Sequence, residues 1–184
     1  MAAVTAIDYD LEFLEDGRTI ELISIGMVAD DGRELYAVNA EFDQAAVRGH
    51  PWLRGNVWPH LPVVQNPPGV RGVDRLDLDD PAVRPRAQIA RAVADFILAA
   101  GPEVELWANY GAYDHVCLAQ LWGPMVALPE GVPMFTHDIQ QERSRLGLPV
   151  GALPAQQESE HHALADARHN QIVRRWLAER GRSA

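Results

Sequence analysis

The first residues that could carry chemistry are acidic and lie close together near the start of the chain. Asp10 and Glu12 are two positions apart in a segment that alternates apolar and acidic residues, which predicts a β-strand over residues 6–13. Both side chains then point to one face, with roots about 7 Å apart, whereas Asp8 lies about 13 Å from Glu12, too far to join a compact metal pair. Such a face either is a solvated sheet edge or holds cations, and these residues alone leave both interpretations open.

A second candidate group surrounds Asp114. This residue lies in the segment NYGAYDH, at the predicted junction between a strand over residues 103–109 and a helix over residues 112–122. Sites in open α/β sheets are built at such junctions. An acidic residue in the first turn of a helix also stabilises the helix dipole. Asp114 alone therefore fits either a functional site or an ordinary helix start.

A third group, EHHALADA, opens the last predicted helix, residues 162–180. His162 and Asp166 are four apart and share a helical face, whereas His161 and Asp166 are five apart and are rotated by about 140° on a regular helix. His161 can act beside Asp166 only if it lies just before the helix, on the flexible end of a Gly/Pro-rich link. Two histidines without a chemical role are the alternative interpretation.

The elements around these groups predict an α/β sandwich with the order strand, strand, strand, helix, strand, helix, helix, helix, and with helices on both faces of a mixed sheet. Asp31-Gly32 is a turn signal between the second and third strands. Residues from about 43 to 83 form an irregular insertion in a single domain over residues 1–184, and a segment of this length suggests a flap or an interface element. The predicted strands cover residues 6–13, 20–29, 34–42 and 103–109, and the predicted helices run from Pro85 to Gly101, over 112–122, from Asp138 to Leu146 and over 162–180.

The composition limits the classes of function. The 184 residues are 47% hydrophobic and 23% charged, with a formal net charge of −10, which argues against a protein that coats nucleic acid with a basic face. An enzyme that grips only a chain end is compatible with this charge. The single cysteine, Cys117, favours a reducing cytoplasm. No apolar run approaches the ~20 residues that span a bilayer, so we expect no membrane partner.

The three groups together resemble the motifs of a known superfamily. The DEDDh exonucleases, which include ribonuclease T, oligoribonuclease and proofreading exonucleases, share the order and spacing of Asp10-Leu11-Glu12, Tyr113-Asp114, and His161 followed by Asp166. The segments YDLEFLEDGRTIELISIG, ELWANYGAYDHV and QLWGPMVALP extend the resemblance through most of the chain and are most similar to actinobacterial polyadenylate-specific 3′-exoribonucleases. Many superfamily members have threonine where this chain has Phe13. The family spacing assigns the third-motif histidine to His161 rather than His162.

The resemblance implies a ribonuclease H-like fold with a mixed five-stranded sheet. It also implies hydrolysis of single-stranded RNA from the 3′ end to nucleoside 5′-monophosphates, with a preference for adenylate-rich ends. A homodimer is expected from the family, with the irregular insertion as a candidate interface. A DNA exonuclease of the same fold and a catalytically silent nucleic-acid-binding domain are the alternatives.

The implied cofactors are two divalent cations for each active site. Hard oxygen ligands with few histidines favour Mg²⁺ or Mn²⁺ over Zn²⁺, and two such ions can clamp the attacking and leaving oxygens at phosphorus. The resemblance implies that Asp10 bridges both ions, that Glu12 and Asp166 hold the ion beside the attacking water, and that Asp114 supports the other. It implies that His161 accepts the proton of the water.

Three further residues are candidate substrate contacts. We expect Phe13 and Tyr110 to stack on the terminal bases and Leu11 to contact the substrate. Because Phe13 lies on the apolar face of its predicted strand, a place in the core is an equally good interpretation for that residue.

Overall fold

The computed structural model describes residues 4–65, 74–157 and 159–182. The strands are β1 Thr5–Glu15, β2 Ile20–Ala29, β3 Glu34–Asn39, β4 Val63–Val64, β5 Arg75–Leu76, β6 Val83–Arg84, β7 Val104–Ala108 and β8 His137–Asp138. The α-helices are α1 Gln44–Gly49, α2 Pro51–Asn56, α3 Arg86–Leu98, α4 Ala112–Ala119, α5 Ile139–Arg145 and α6 Ala163–Gly181. Within these described ranges, none of the helices is long and apolar enough to cross a bilayer.

The main sheet is mixed, as predicted, with the spatial order β6-β3-β2-β1-β7-β8. β1, β2 and β3 pair antiparallel, and β7 pairs parallel with β1 after the crossover through α3. The sheet has six strands, whereas the resemblance implies five and the sequence pattern itself locates four. The strands that the prediction missed, β6 and β8, are two residues long, which is too short for an alternating pattern to be visible.

The alternation along β1 separates a core face from an acidic face. Ile7, Tyr9 and Leu11 are buried in the core that also contains side chains of α3 and α4, so the acidic residues between them point to the opposite face, which α6 covers. Because β1 is a central strand of the sheet, the solvated-edge interpretation of its acidic face is wrong.

Asp8 and Gly26 set how α6 lies on that face. The buried Asp8 carboxylate accepts hydrogen bonds from Arg174 of α6 at 2.8–3.0 Å, which ties it to the helix and away from the other acidic residues. Gly26 pairs with Asp10 in the sheet, and a Cβ at Gly26 would lie 2.3 Å from the backbone nitrogen of Leu164. The absent side chain at Gly26 therefore lets the start of α6 approach the sheet beside Asp10.

The insertion over residues 43–83 contains more order than its sequence suggests. It contains the helices α1 and α2, and β4 and β5 form a separate two-stranded ribbon. A second core joins this segment to β2 and β3, and its buried members are Ile23, Val38, Phe42, Val47, Leu53, Val57, Trp58, Leu61, Leu76 and Val83. Residues 66–73 of the insertion lie outside the described residues.

Candidate active site

One acidic cleft lies where β1 passes the end of β7 and the first turns of α4 and α6. Its volume is about 330 Å³. The lining residues are Asp10, Leu11, Glu12, Phe13, Asn109, Asp114, Gln156, Glu160, His161, Asp166, His169 and Asn170. All five side chains predicted to be catalytic are in this set, although they come from three separated parts of the chain.

The backbone of β1 holds the Asp114 carboxylate in place. Asp114 is buried in the first turn of α4, and the backbone N–H of Leu11 donates a hydrogen bond to its Oδ1 at 2.9 Å. The strand that supplies Asp10 and Glu12 thus also orients the acidic residue of the second motif.

The start of α6 separates the roles of the two adjacent histidines. His162 is the N-cap, its side chain accepts the backbone N–H of Ala165, and its ring stacks on Tyr36 with centroids 4.6 Å apart. His161 lies immediately before the cap, as its five-residue spacing from Asp166 requires, and it lines the cleft. His162 is outside the cleft lining.

The backbone of His161 adopts a conformation that side-chain-bearing residues rarely take. Its φ is +67°, in the left-handed region that is uncommon outside glycine. In this conformation the His161 N–H donates to Oδ2 of Asp166 at 2.8 Å, while the side-chain amide of Gln156 donates to Oδ1 at 2.5 Å. Backbone conformations of this kind occur preferentially at functional sites.

Glu12, His161 and Asp166 form the tightest cluster of possible ligands in the cleft. One ligand atom from each lies within 4.8 Å of the others, and Nδ1 of His161 is 4.0 Å from Oε1 of Glu12. Asp10, Asp114 and Glu160 are the other acidic residues of the lining. The cluster has the donor types that divalent cations bind.

The carboxylates of the cleft disfavour one another's charge. Burial, together with the charges of Asp166 and Asp114, raises the pKa of Glu12 to about 8. Burial and the charges of Asp114, Glu12 and Asp166 raise the pKa of Asp10 well above its ordinary range. Burial raises the pKa of Asp114 to about 6, although the Leu11 N–H opposes this shift. Since a nearby cation favours the charged form of an acid, cation binding would relieve this repulsion.

The three predicted substrate contacts are placed differently. Phe13 lines the cleft and also packs against the main core, because a register shift between Glu12 and Phe13 breaks the alternation of β1. Leu11 is also among the lining residues, while its side chain packs in the main core. Tyr110 is 61% exposed, follows the cleft residue Asn109, and lies outside the cleft lining.

Several cleft residues were missed at the level of sequence. His169 is three residues after Asp166 on α6, so helical spacing could have identified it. Asn170 donates from its side-chain amide to the backbone carbonyl of Tyr9 at 3.1 Å, which fixes α6 against β1. Gln156 comes from the irregular link before α6, and no pattern in that link marks it.

Trp52 of α2 also contacts His161, with ring centroids 4.7 Å apart.

The fold defines the structural class of the protein, a mixed α/β fold of the ribonuclease H-like type. The fold is similar to that of S. pombe Pop2p, a structure determined with Mg²⁺ and Mn²⁺ bound, with a TM-score of 0.51 and 13% sequence identity. The similarity covers 96% of this chain and 83% of that chain. At this identity the likeness bears on the fold alone.

Sequence comparison gives the family. Residues 74–177 match the model of the 3′-5′ exoribonuclease Rv2179c-like domain. The chain is 47% identical over 161 residues to 3′-5′ exoribonuclease Rv2179c of Mycobacterium tuberculosis strain ATCC 25618 / H37Rv, a match that covers 87% of this chain and 85% of the relative. The match to 3′-5′ exoribonuclease MT2234.1 of strain CDC 1551 / Oshkosh has the same identity and coverage. The chain belongs to the Rv2179c-like 3′-5′ exoribonuclease family, and the predicted enzyme class is confirmed at this level.

Proposed function

We propose that this chain is a divalent-metal-dependent 3′-5′ exoribonuclease of the DEDDh type, with one exonuclease domain over residues 1–184. The substrate would be the 3′ end of single-stranded RNA and the product a nucleoside 5′-monophosphate. The observation that carries the proposal is that the four carboxylates and the imidazole of the three motifs line a single cleft. Family membership supplies the direction of hydrolysis.

The donor set of the cleft fits divalent cations. Carboxylate oxygens are hard ligands that suit Mg²⁺ and Mn²⁺. Burial and the neighbouring carboxylates raise the pKa values of Asp10 and Glu12, and bound cations would offset this repulsion. Asp10, Glu12, Asp114 and Asp166 are the residues that would hold the ions. The DEDDh resemblance supports two ions at each active site.

The residues of the chain then have distinct tasks. Bound cations would neutralise the four carboxylates and stabilise the charge that develops on the phosphate. His161, next to Glu12 and Asp166 in the cleft, would accept the proton of the attacking water. Leu11 would keep Asp114 in position through its backbone N–H, and Gln156 would do the same for Asp166 through its amide.

The direct test is degradation of an oligonucleotide labelled at its 5′ end. With Mg²⁺ or Mn²⁺ we expect stepwise shortening of an oligoadenylate from the 3′ end and release of AMP, and we expect EDTA to stop the reaction. The matching oligodeoxyadenylate is the control for a DNA exonuclease, which would shorten it at least as fast. Failure to release mononucleotide from either substrate with either metal would overturn the proposal and favour a silent binding domain.

A His161→Asn variant tests the assignment of the general base. Asparagine tolerates the left-handed backbone of position 161 better than most residues, so the hydrogen bond from this N–H to Asp166 should persist while the imidazole is lost. We expect kcat to fall by ~10² to 10⁴ and Mn²⁺ affinity to change little. The matched control is His162→Asn, because asparagine is also a good N-cap. A larger loss of kcat in the His162 variant would contradict the assignment.

A preference for adenylate-rich ends is the finer part of the proposal. It is supported by the resemblance of the motifs. The rings available to stack on the terminal bases are those of Phe13, in the cleft lining, and Tyr110, at its side. Each ring that stacks on a base would contribute ~1 to 3 kcal/mol. Comparing kcat/KM on oligomers of A, C, G and U in the wild type and in Phe13→Leu and Tyr110→Leu variants tests both parts.

We also propose a homodimer in the cytoplasm. Apolar side chains are exposed around a recess beside α4, among them Val116, Met125 and Met134, which are 48%, 74% and 65% exposed. This surface is a second candidate interface besides the insertion, where Trp52 is exposed. Light scattering coupled to size exclusion tests the dimer, and Met125→Glu compared with Trp52→Glu distinguishes the two surfaces.

The buried, unpaired Cys117 is compatible with a reducing compartment, and cell fractionation tests the location.

A further inference from the structure

The insertion contacts a residue of the cleft, His161, through the indole of Trp52. Its ring packs against the His161 imidazole in a T-shaped arrangement, with centroids 4.7 Å apart and an interplanar angle of 74°. Trp52 is 46% exposed, unlike Trp58 of the same insertion, which is buried in the second core. The exposed indole thus has a contact in the site instead of a place in the core.

The position of Trp52 is fixed by α2. The side chain of His50 caps this helix by accepting the N–H of Leu53 at 3.3 Å, and Leu53 is buried in the second core. The side-chain amide of Asn56 donates to the backbone carbonyl of Trp52 at 2.8 Å. The indole therefore projects from a packed element, although α2 is only six residues long.

The imidazole of His161, in contrast, lies on a loop. Its backbone is held in the left-handed region by the hydrogen bond to Asp166, but that bond leaves rotation about the side-chain torsions open. The ring has Glu12 on one side, with Nδ1 4.0 Å from Oε1, and Trp52 on another. Removing the indole would remove an apolar wall that limits the ring to one orientation.

We propose that Trp52 is a positioning residue that fixes the imidazole of His161 for proton transfer. The inference rests on the proposed function, because it assigns His161 a proton to accept. It also assigns a role at the site to the insertion. The second core holds α2 in position, and α2 holds the indole of Trp52 against His161. Misplacement of a reacting group by about 1 Å can cost 10²-fold in rate, so we expect loss of the indole to lower kcat by about 10- to 100-fold.

The kinetic experiment compares Trp52→Leu with Trp52→Phe on an oligoadenylate in the presence of Mn²⁺. Leucine removes the ring, and we expect kcat to fall while KM changes by less than about twofold, because an interaction needed only in the transition state is lost. Phenylalanine keeps a flat wall and should recover most of kcat. The matched control is Phe135→Leu, which removes a similar ring contact to His137, with centroids 5.3 Å apart, and should leave kcat and KM unchanged.

A second readout needs no turnover. The ring current of the indole shifts the carbon-bound proton resonances of the His161 imidazole, which are assigned by their loss in His161→Asn. We expect these resonances to move in Trp52→Leu and to stay in place in Phe135→Leu. Unchanged resonances in Trp52→Leu would overturn the contact on which the inference depends.

The outcomes separate the inference from the proposed function. A Trp52→Leu variant with raised KM and unchanged kcat would overturn the positioning role, because it would show that the indole binds substrate uniformly. An active wild type beside a fully active Trp52→Leu variant would overturn the inference alone. A wild type that releases no nucleotide would overturn the proposed function itself.

Discussion

Gly26→Ala should lower the activity of the enzyme, although Gly26 has no side chain that could bind metal or substrate. Gly26 lies opposite Asp10 in the sheet, and an added Cβ would be 2.3 Å from the nitrogen of Leu164 and 2.4 Å from the carbonyl atoms of Ala163. These are backbone atoms, so no side chain can rotate away. Restoring ordinary contact of at least 3.4 Å requires the start of α6 to retreat from β1 by about 1 Å.

The size of the effect follows from what α6 positions. His161 and Asp166 would move with the helix start, whereas Asp10 would stay on β1. A misplacement of about 1 Å can cost 10²-fold in rate, so we expect kcat on an oligoadenylate to fall about 100-fold. Overpacking of this kind costs about 1 to 3 kcal/mol of stability, which should lower Tm by several degrees.

The assay measures AMP release and thermal unfolding of the same preparations. Gly49→Ala is the control, because a Cβ at Gly49 meets nothing within 4 Å and alanine is the better helix former. We expect Gly49→Ala to keep kcat and Tm. A Gly26→Ala variant with wild-type kcat would refute the claim that close approach of α6 builds the site.

Three further predictions concern charge. Asp10→Asn should abolish turnover and yet raise Tm in EDTA, because it removes a carboxylate that its neighbours repel. The control is Asp95→Asn, at an exposed position. A lower Tm for Asp10→Asn than for the wild type would contradict the repulsion. In EDTA, the free energy of unfolding of the wild type relative to that of Glu12→Gln should increase as pH falls from 8 to 5. The reason is that the pKa of Glu12 is raised to about 8, so the folded state binds more protons than the unfolded state in this window. A decrease in this difference, measured by denaturant unfolding, would contradict the shift. Binding of a labelled oligoadenylate to His161→Asn should weaken with salt at a slope of about −0.7 per phosphate for one to three phosphates, and a slope steeper than about −4 would exclude a grip limited to the chain end.

Local periodicity in the sequence predicted where several cleft residues lie on their elements, but it could not predict the contacts between distant segments. Alternation along β1 placed Asp10 and Glu12 on one face, and helical geometry placed His161 just before α6, because both arguments depend only on local periods. The partner of Asp8 could not be predicted, since it is Arg174, far along the chain and brought close only when α6 packs on β1. The same holds for Trp52, whose contact with His161 depends on the second core.

The buried face of α6 shows a similar limit. Helical spacing of the apolar residues predicts a buried stripe of Ile172, Val173, Trp176 and Leu177, but Ile172 is 58% exposed. The buried face of α6 instead includes Ala167 and the polar Asn170, whose amide bonds to the backbone of β1. A prediction based on hydrophobicity favours burial of the large side chain of Ile172. The close packing of α6 on the sheet instead buries the small Ala167 and the hydrogen-bonding Asn170.

The central claim is that the acidic cleft holds divalent cations, and a crystal soaked with Mn²⁺ and AMP tests it most directly. Anomalous scattering at the manganese edge should show ions within direct coordination distance of Asp10, Glu12 and Asp166, with the phosphate of AMP beside them. An Asp10→Asn crystal treated in the same way should lose at least one of these peaks. Manganese peaks only outside the cleft, with the four carboxylates unliganded at millimolar metal, would contradict the account.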